Sequence, residues 1–173
     1  MKFLYLSLVF LLVFSSCSRK SEQELYDEGK TAQSQKNFQI AIERYQEVVE
    51  RSPSSAYAES SQYRIAVIYN NDLHENTKAI QAYQKFYAMF PASSEAPNAL
   101  FLVGFLYNNE LHNIDSAKIA YESFLQKYPN HSLVTSAEFE LETLGKDPSQ
   151  LLQSRVLSKD NAGSRESSED TKQ

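Results

Sequence analysis

Apolar residues return along this chain at helical spacing. Phe38, Ala41, Ile42, Tyr45, Val48 and Val49 are separated by three, one, three, three and one residues. That spacing lines one face of a 3.6-residue helix. Pro53 follows the stripe, and proline ends a helix because it lacks the donor N–H and clashes with the preceding turn. The stripe then recurs. Ala41, Tyr45, Val48 and Pro53 are matched by Ala79, Tyr83, Phe86 and Pro91, then by Ala117, Tyr121, Phe124 and Pro129, each set 38 residues after the last. A fixed period of roughly 20–50 residues marks a repeat array.

A second apolar segment precedes each stripe: Leu25 to Ala32, Tyr63 to Tyr69 and Leu100 to Tyr107. The pattern predicts three helix-turn-helix units. A lone pair of helices cannot bury both faces, so neighbouring pairs must stack. Small residues fall where the two helices of a pair should cross: Gly29, Ala66 and Gly104 on the first helix, Ala41, Ala79 and Ala117 on the second. The expected fold is all-α, a solenoid over residues 24–145 with repeats at about 24–55, 56–93 and 94–131. A capping helix is expected at 132–145. There Glu142 stands where Ala66 and Gly104 stood, which blocks a further close-packed partner, and Gly145 ends the helix. Over 146–173, Asp147-Pro148 predicts a short helix through Leu152, with Asp as N-cap and Pro at N1. The rest is Ser-rich, with few apolar residues, and is expected to be a disordered tail.

These residues carry a resemblance to the tetratricopeptide family. Its pattern sets a small residue on the first helix, an alanine twelve residues on, an aromatic four later and a proline eight after that. Gly29, Ala41, Tyr45 and Pro53 match it without a gap. Repeats two and three are longer: Ala66 to Ala79 and Gly104 to Ala117 are each 13 residues apart. This longer unit resembles the outer-membrane lipoproteins of the BamD (YfiO) type. It is also similar to the C-terminal domain of TolA-binding periplasmic coordinators. The resemblance runs from Glu24 to about Gly145.

The start of the chain adds an address. Lys2 precedes the apolar run Phe3 to Phe14. Twelve residues of helix span about 18 Å, too short for a ~30 Å bilayer core. Residues 1–16 are therefore expected to be a secretory signal. Phe14-Ser15-Ser16-Cys17 is similar to the bacterial lipobox, in which the cysteine is acylated; the alternative is an ordinary signal peptide with an unrelated cysteine. Cys17 is the single cysteine, which excludes an internal disulfide. With Cys17 lipidated, residues 17–23 form a linker of ~20 Å at most, which holds the array against the membrane. By the enterobacterial sorting rule, Ser18 and Arg19 after the cysteine imply the outer membrane.

Composition narrows the function. The net charge is −5 with 12 % aromatic residues, which does not describe a nucleic-acid binder. No phosphate loop, nucleophile motif or metal-ligand spacing occurs, so no enzyme activity, cofactor or small-molecule substrate is expected. His74 and His112 repeat at 38 residues within the matching stretches Asn70 to His74 and Asn108 to His112, where turn chemistry accounts for them.

In the family the concave surface comes from recurrent positions on each first helix. The resemblance implies a partner-binding groove of Tyr26, Lys30 and Gln33, then Tyr63, Val67, Asn70 and Asn71, then Phe101, Phe105, Asn108 and Asn109, with Phe139 from the cap. Two readings of the aromatic file are open. The rings stack on a ligand while the asparagines hold its backbone, or the rings pack on adjacent helices and the asparagines cap. The resemblance implies a membrane-anchored scaffold for a protein or peptide partner, in outer-membrane β-barrel assembly. A Tol-type or peptidoglycan coordinator and an accessory subunit of another envelope complex are the alternatives.

Overall fold

A computed structural model describes residues 19–146, and these residues form an all-α array with no strand. The helices are α1 (Glu22–Ser34), α2 (Phe38–Arg51), α3 (Ala56–Val67), α4 (Asn76–Met89), α5 (Ala96–Asn109), α6 (Ile114–Lys127) and α7 (Val134–Thr143). The signal segment, Cys17, the expected short helix at 147–152 and the tail lie outside the described residues.

Side-chain chemistry sets the helix starts. Ser21 and Glu24 form a capping box on α1, with Glu24 N–H on Ser21 Oγ at 3.2 Å and Ser21 N–H on Glu24 Oε2 at 2.7 Å. Ser55 and Asn113 cap α3 and α6 by accepting the Ala58 and Ser116 N–H on their side chains. The striped helices α2, α4 and α6 each stop two residues before Pro53, Pro91 and Pro129.

Consecutive helices pack in antiparallel pairs, and each pair packs on the next. Ala41, Ala79 and Ala117 are fully buried, and so are Tyr45, Tyr83 and Tyr121 one turn later. The close approach has a measurable reason. A Cβ on Gly29 would lie 2.6 Å from the Tyr45 ring, and one on Gly104 would lie 2.8 Å from the Tyr121 ring. Glycine there lets the tyrosine of the partner helix lie on bare backbone. In the fourth position α7 packs on α6 through buried Ala137, while Glu142 is exposed.

The extra residue of repeats two and three has a place. After α1, Asn37 N–H reaches back five residues to Ala32 O. After α3 and α5, Glu75 and Asn113 reach back six, to Tyr69 O and Tyr107 O. The added residue is absorbed where the first helix ends, as a π-helical turn at Ile68–Asp72 with Leu73 N–H on Ile68 O. Leu111 N–H makes the same five-residue bond to Leu106 O. Each turn then passes through one residue with positive φ: Lys36 (61°), His74 (53°) and His112 (49°). The two repeating histidines thus occupy a left-handed turn position.

The buried tyrosines make the fold sensitive to alkali. Burial raises the pKa of Tyr45 and Tyr83 to about 12, against weaker lowering by Arg64 beside Tyr45 and Asn70 beside Tyr83. Unfolded tyrosines ionise near ~10. Stability from these groups is full below that value and is lost as pH rises through the folded pKa, because the unfolded chain has already released its protons. We expect helix loss and tyrosinate absorbance to rise together between pH ~10 and ~12. Full tyrosinate absorbance at lower pH with helicity intact would contradict this.

Candidate functional site: a concave groove across the array

The first helices α1, α3 and α5 bring the aromatic file to one side. Tyr26, Tyr63 and Phe101 are each half-buried at equivalent heights. Each also packs inward. Tyr26 meets the rings of Tyr45 and Tyr57 at 5.7 and 5.4 Å. Tyr63 sits edge-on to Tyr83 and Phe86 at 5.9 and 5.1 Å. Phe101 repeats this against Tyr121 and Phe124. So all three rings carry packing, and Tyr26 and Tyr63 also line a cavity. Phe105 and Phe139 are more open, at 37 % and 45 % exposed.

Tyr26, Tyr63 and Val67 line one cavity of about 300 Å³, together with Glu59, Ser60, Arg64, Phe86 and Glu95. Four predicted groove residues are outside it but close to its frame. Gln33 accepts from the Tyr45 hydroxyl at 3.1 Å and lies 3.4 Å from an Arg64 guanidinium nitrogen. Lys30 stands 5.8 Å over the Tyr26 ring and 4.0 Å from Asp27. Asn70 donates to the Asn71 side chain at 2.9 Å and lies against the Tyr83 hydroxyl. Further along, Asn108 donates to Glu140 of α7 at 3.0 Å, and Asn109 donates back to Phe105 O at 3.1 Å. The asparagines therefore have partners within the array.

A recurrent contact explains their spacing. Gln33, Asn70 and Asn108 stand at equivalent places on successive first helices. Gln33 and Asn70 meet the hydroxyls of Tyr45 and Tyr83 directly. At Tyr121 the Glu140 carboxylate, which Asn108 holds, adds to burial in pushing the tyrosine pKa up.

Several groove residues escaped the sequence reading. Arg64 donates from Nε to the Tyr26 hydroxyl at 3.0 Å and stacks 5.7 Å over that ring, tying α3 to α1. Burial works against its charge, and the bond to Tyr26 helps turn the net shift upward. Glu95 lies against the Tyr63 hydroxyl, whose pKa is raised first by burial, then by Tyr83 and this carboxylate. One signal was available: Arg64 is the sole basic residue of α3.

A match to a protein-family model decides the family: residues 18–147 match YfiO, outer membrane lipoprotein. The chain belongs to the YfiO family of outer membrane lipoproteins. No curated protein matches the chain. Among the described residues of this YfiO-family chain, no helix is long and apolar enough to cross a membrane. Side-chain contacts gather where the described residues begin. Lys20 pairs with Glu28, which also meets Arg44 at 3.5 Å. Arg51 donates to Lys20 O at 3.0 Å and pairs with Glu47. These contacts start at Lys20, three residues along the sequence from Cys17.

Proposed function

We propose that the protein is a non-catalytic, lipid-anchored scaffold on the periplasmic face of the outer membrane, working in β-barrel protein assembly. Its concave groove takes a protein or peptide partner. The observation that carries this reading is the cavity shared by Tyr26, Tyr63 and Val67, where half-buried aromatic edges line a concave space on consecutive repeats. Interfaces favour such rings, because they bury large area at low entropic cost. Family membership supports the membrane setting. Cys17 is the lipid attachment point, following removal of residues 1–16 as a signal.

The test places a photo-crosslinking side chain at Val67 or Phe105 in the full-length protein. Crosslinked partners from detergent-solubilised envelopes are identified by mass spectrometry. A barrel-assembly component captured from both positions is the expected result. Tol-type or peptidoglycan-synthesis proteins without any barrel component would replace this reading with the coordinator one. A Cys17→Ala variant should leave the membrane fraction. Unchanged membrane association would remove the lipid anchor from the proposal.

A further inference from the structure

The cavity between the first and third repeats is charged at both ends, and the ends differ in sign. Arg64 leans back towards repeat one, where it meets Tyr26 and Gln33. Among the described residues it makes no ion pair with a carboxylate. Lys30, 5.8 Å over the same tyrosine ring, is already paired with Asp27 at 4.0 Å, so Arg64 is the cation that this side leaves without a carboxylate among the described residues. Glu59 leans the other way and accepts from Ser93 Oγ at 2.6 Å, on the loop that leads to α5. Glu95, on the same loop, accepts from Asn98 at 3.0 Å and lies against the Tyr63 hydroxyl. Both carboxylates are held by neutral donors, and neither forms an ion pair among the described residues. The rest of the lining is mostly apolar, with Tyr63, Val67 and Phe86 beside Ser60.

Each end therefore retains an unmatched charge at a partly buried place, where an incoming opposite charge gains more than it would in open water. The guanidinium fork is also shaped for a carboxylate. We propose that this cavity binds an extended, amphoteric peptide segment. An acidic side chain pairs with Arg64, an apolar side chain enters beside Tyr63 and Val67, and a basic side chain meets Glu59 and Glu95. The inference rests on the groove being the partner site and adds which chemistry the groove selects. In an extended chain alternate residues face one side, so the three side chains fall at positions i, i+2 and i+4 and span about 13 Å. A purely acidic or purely basic segment satisfies one end and is repelled at the other, so the cavity discriminates by charge order along the array.

The test uses blocked synthetic peptides with the core Asp-Ala-Leu-Ala-Lys, and versions with Ala for Asp, Ala for Lys, or both. Binding to the full-length protein in detergent is read by fluorescence anisotropy, with circular dichroism confirming that each variant stays folded. Arg64→Gln should weaken the parent peptide about ten-fold and leave the Asp-less peptide unchanged. Glu95→Gln should weaken the parent by several-fold and leave the Lys-less peptide unchanged. Arg64→Lys, which keeps the charge and loses the fork, should fall between. Equal losses for all four peptides would overturn the charge assignment. So would tighter binding of an all-acidic or all-basic core. Peptides that crosslink to Val67 without charge coupling would leave the groove standing and remove only this inference. Failure of every peptide to crosslink at Val67 or Phe105 would remove both.

Discussion

An Ala79→Glu variant is expected to lose its cooperative helical fold. Ala79 is fully buried on α4, in the cluster that joins Ala41, Tyr45, Ala66, Tyr83 and Phe86. The replacement carries a charge into a space that holds one methyl group. An unpaired buried carboxylate costs several kcal/mol, and the longer side chain adds steric strain. A loss on the order of 4–5 kcal/mol removes most of the stability of an ordinary domain. The place in the array makes it worse. α4 packs on both α3 and α5, so the break falls between the first repeat and the third. Helicity and thermal melting by circular dichroism give the answer. A variant that melts cooperatively at the parent temperature would sink the register proposed for the helix crossings.

The second large effect is expected at Gly104. Its Cα–H side faces the Tyr121 ring so closely that a Cβ would meet three ring atoms at 2.8, 2.9 and 3.1 Å. Tyr121 has nowhere to go, since it is fully buried and packs on Phe101 at 5.6 Å. Gly104→Val should cost about 3 kcal/mol, the upper end of ordinary overpacking. For an array of this size that lowers the melting temperature by roughly 10 °C. Removing the ring should relieve the clash, so Gly104→Val with Tyr121→Leu should lose less than the two single costs together. Strictly additive losses would mean that the valine is accommodated elsewhere.

The two experiments probe what the repeat pattern makes legible. Small residues at 41, 79 and 117 and tyrosines at 45, 83 and 121 recur because every pair solves one packing problem, and a period detects what recurs. Arg64 lies beyond that method. The residues 38 and 76 positions later are Leu102 and Glu140, so nothing about the place repeats. A residue that makes one repeat different from the others is where selectivity can reside, and periodicity averages it away. Gln62 escaped similarly. Leu25 and Leu100 hold the equivalent places, and only the structure reveals its Nε2 donating to Ala82 O at 3.1 Å. The thirteen-residue spacing was visible, while the π-helical turn that absorbs it depends on which backbone carbonyls each N–H reaches. The positions expected to line a groove could be placed on a helix face from spacing alone. That the rings of Tyr26 and Tyr63 pack inward and line a cavity at once is a matter of side-chain direction, which spacing does not encode.

Each helix packs mainly on the one before it and the one after it in the chain. Almost no contact then waits for a distant segment, and such low contact order allows rapid folding. A polypeptide delivered across a membrane end-first emerges in the order in which its pieces need each other. The α1–α2 pair, with Lys20, Glu28, Arg44, Glu47 and Arg51 gathered at its base, offers the first template. Every later helix finds its docking surface already waiting. The array can therefore be built like a zip closing from α1 onward, with little time spent as exposed apolar chain.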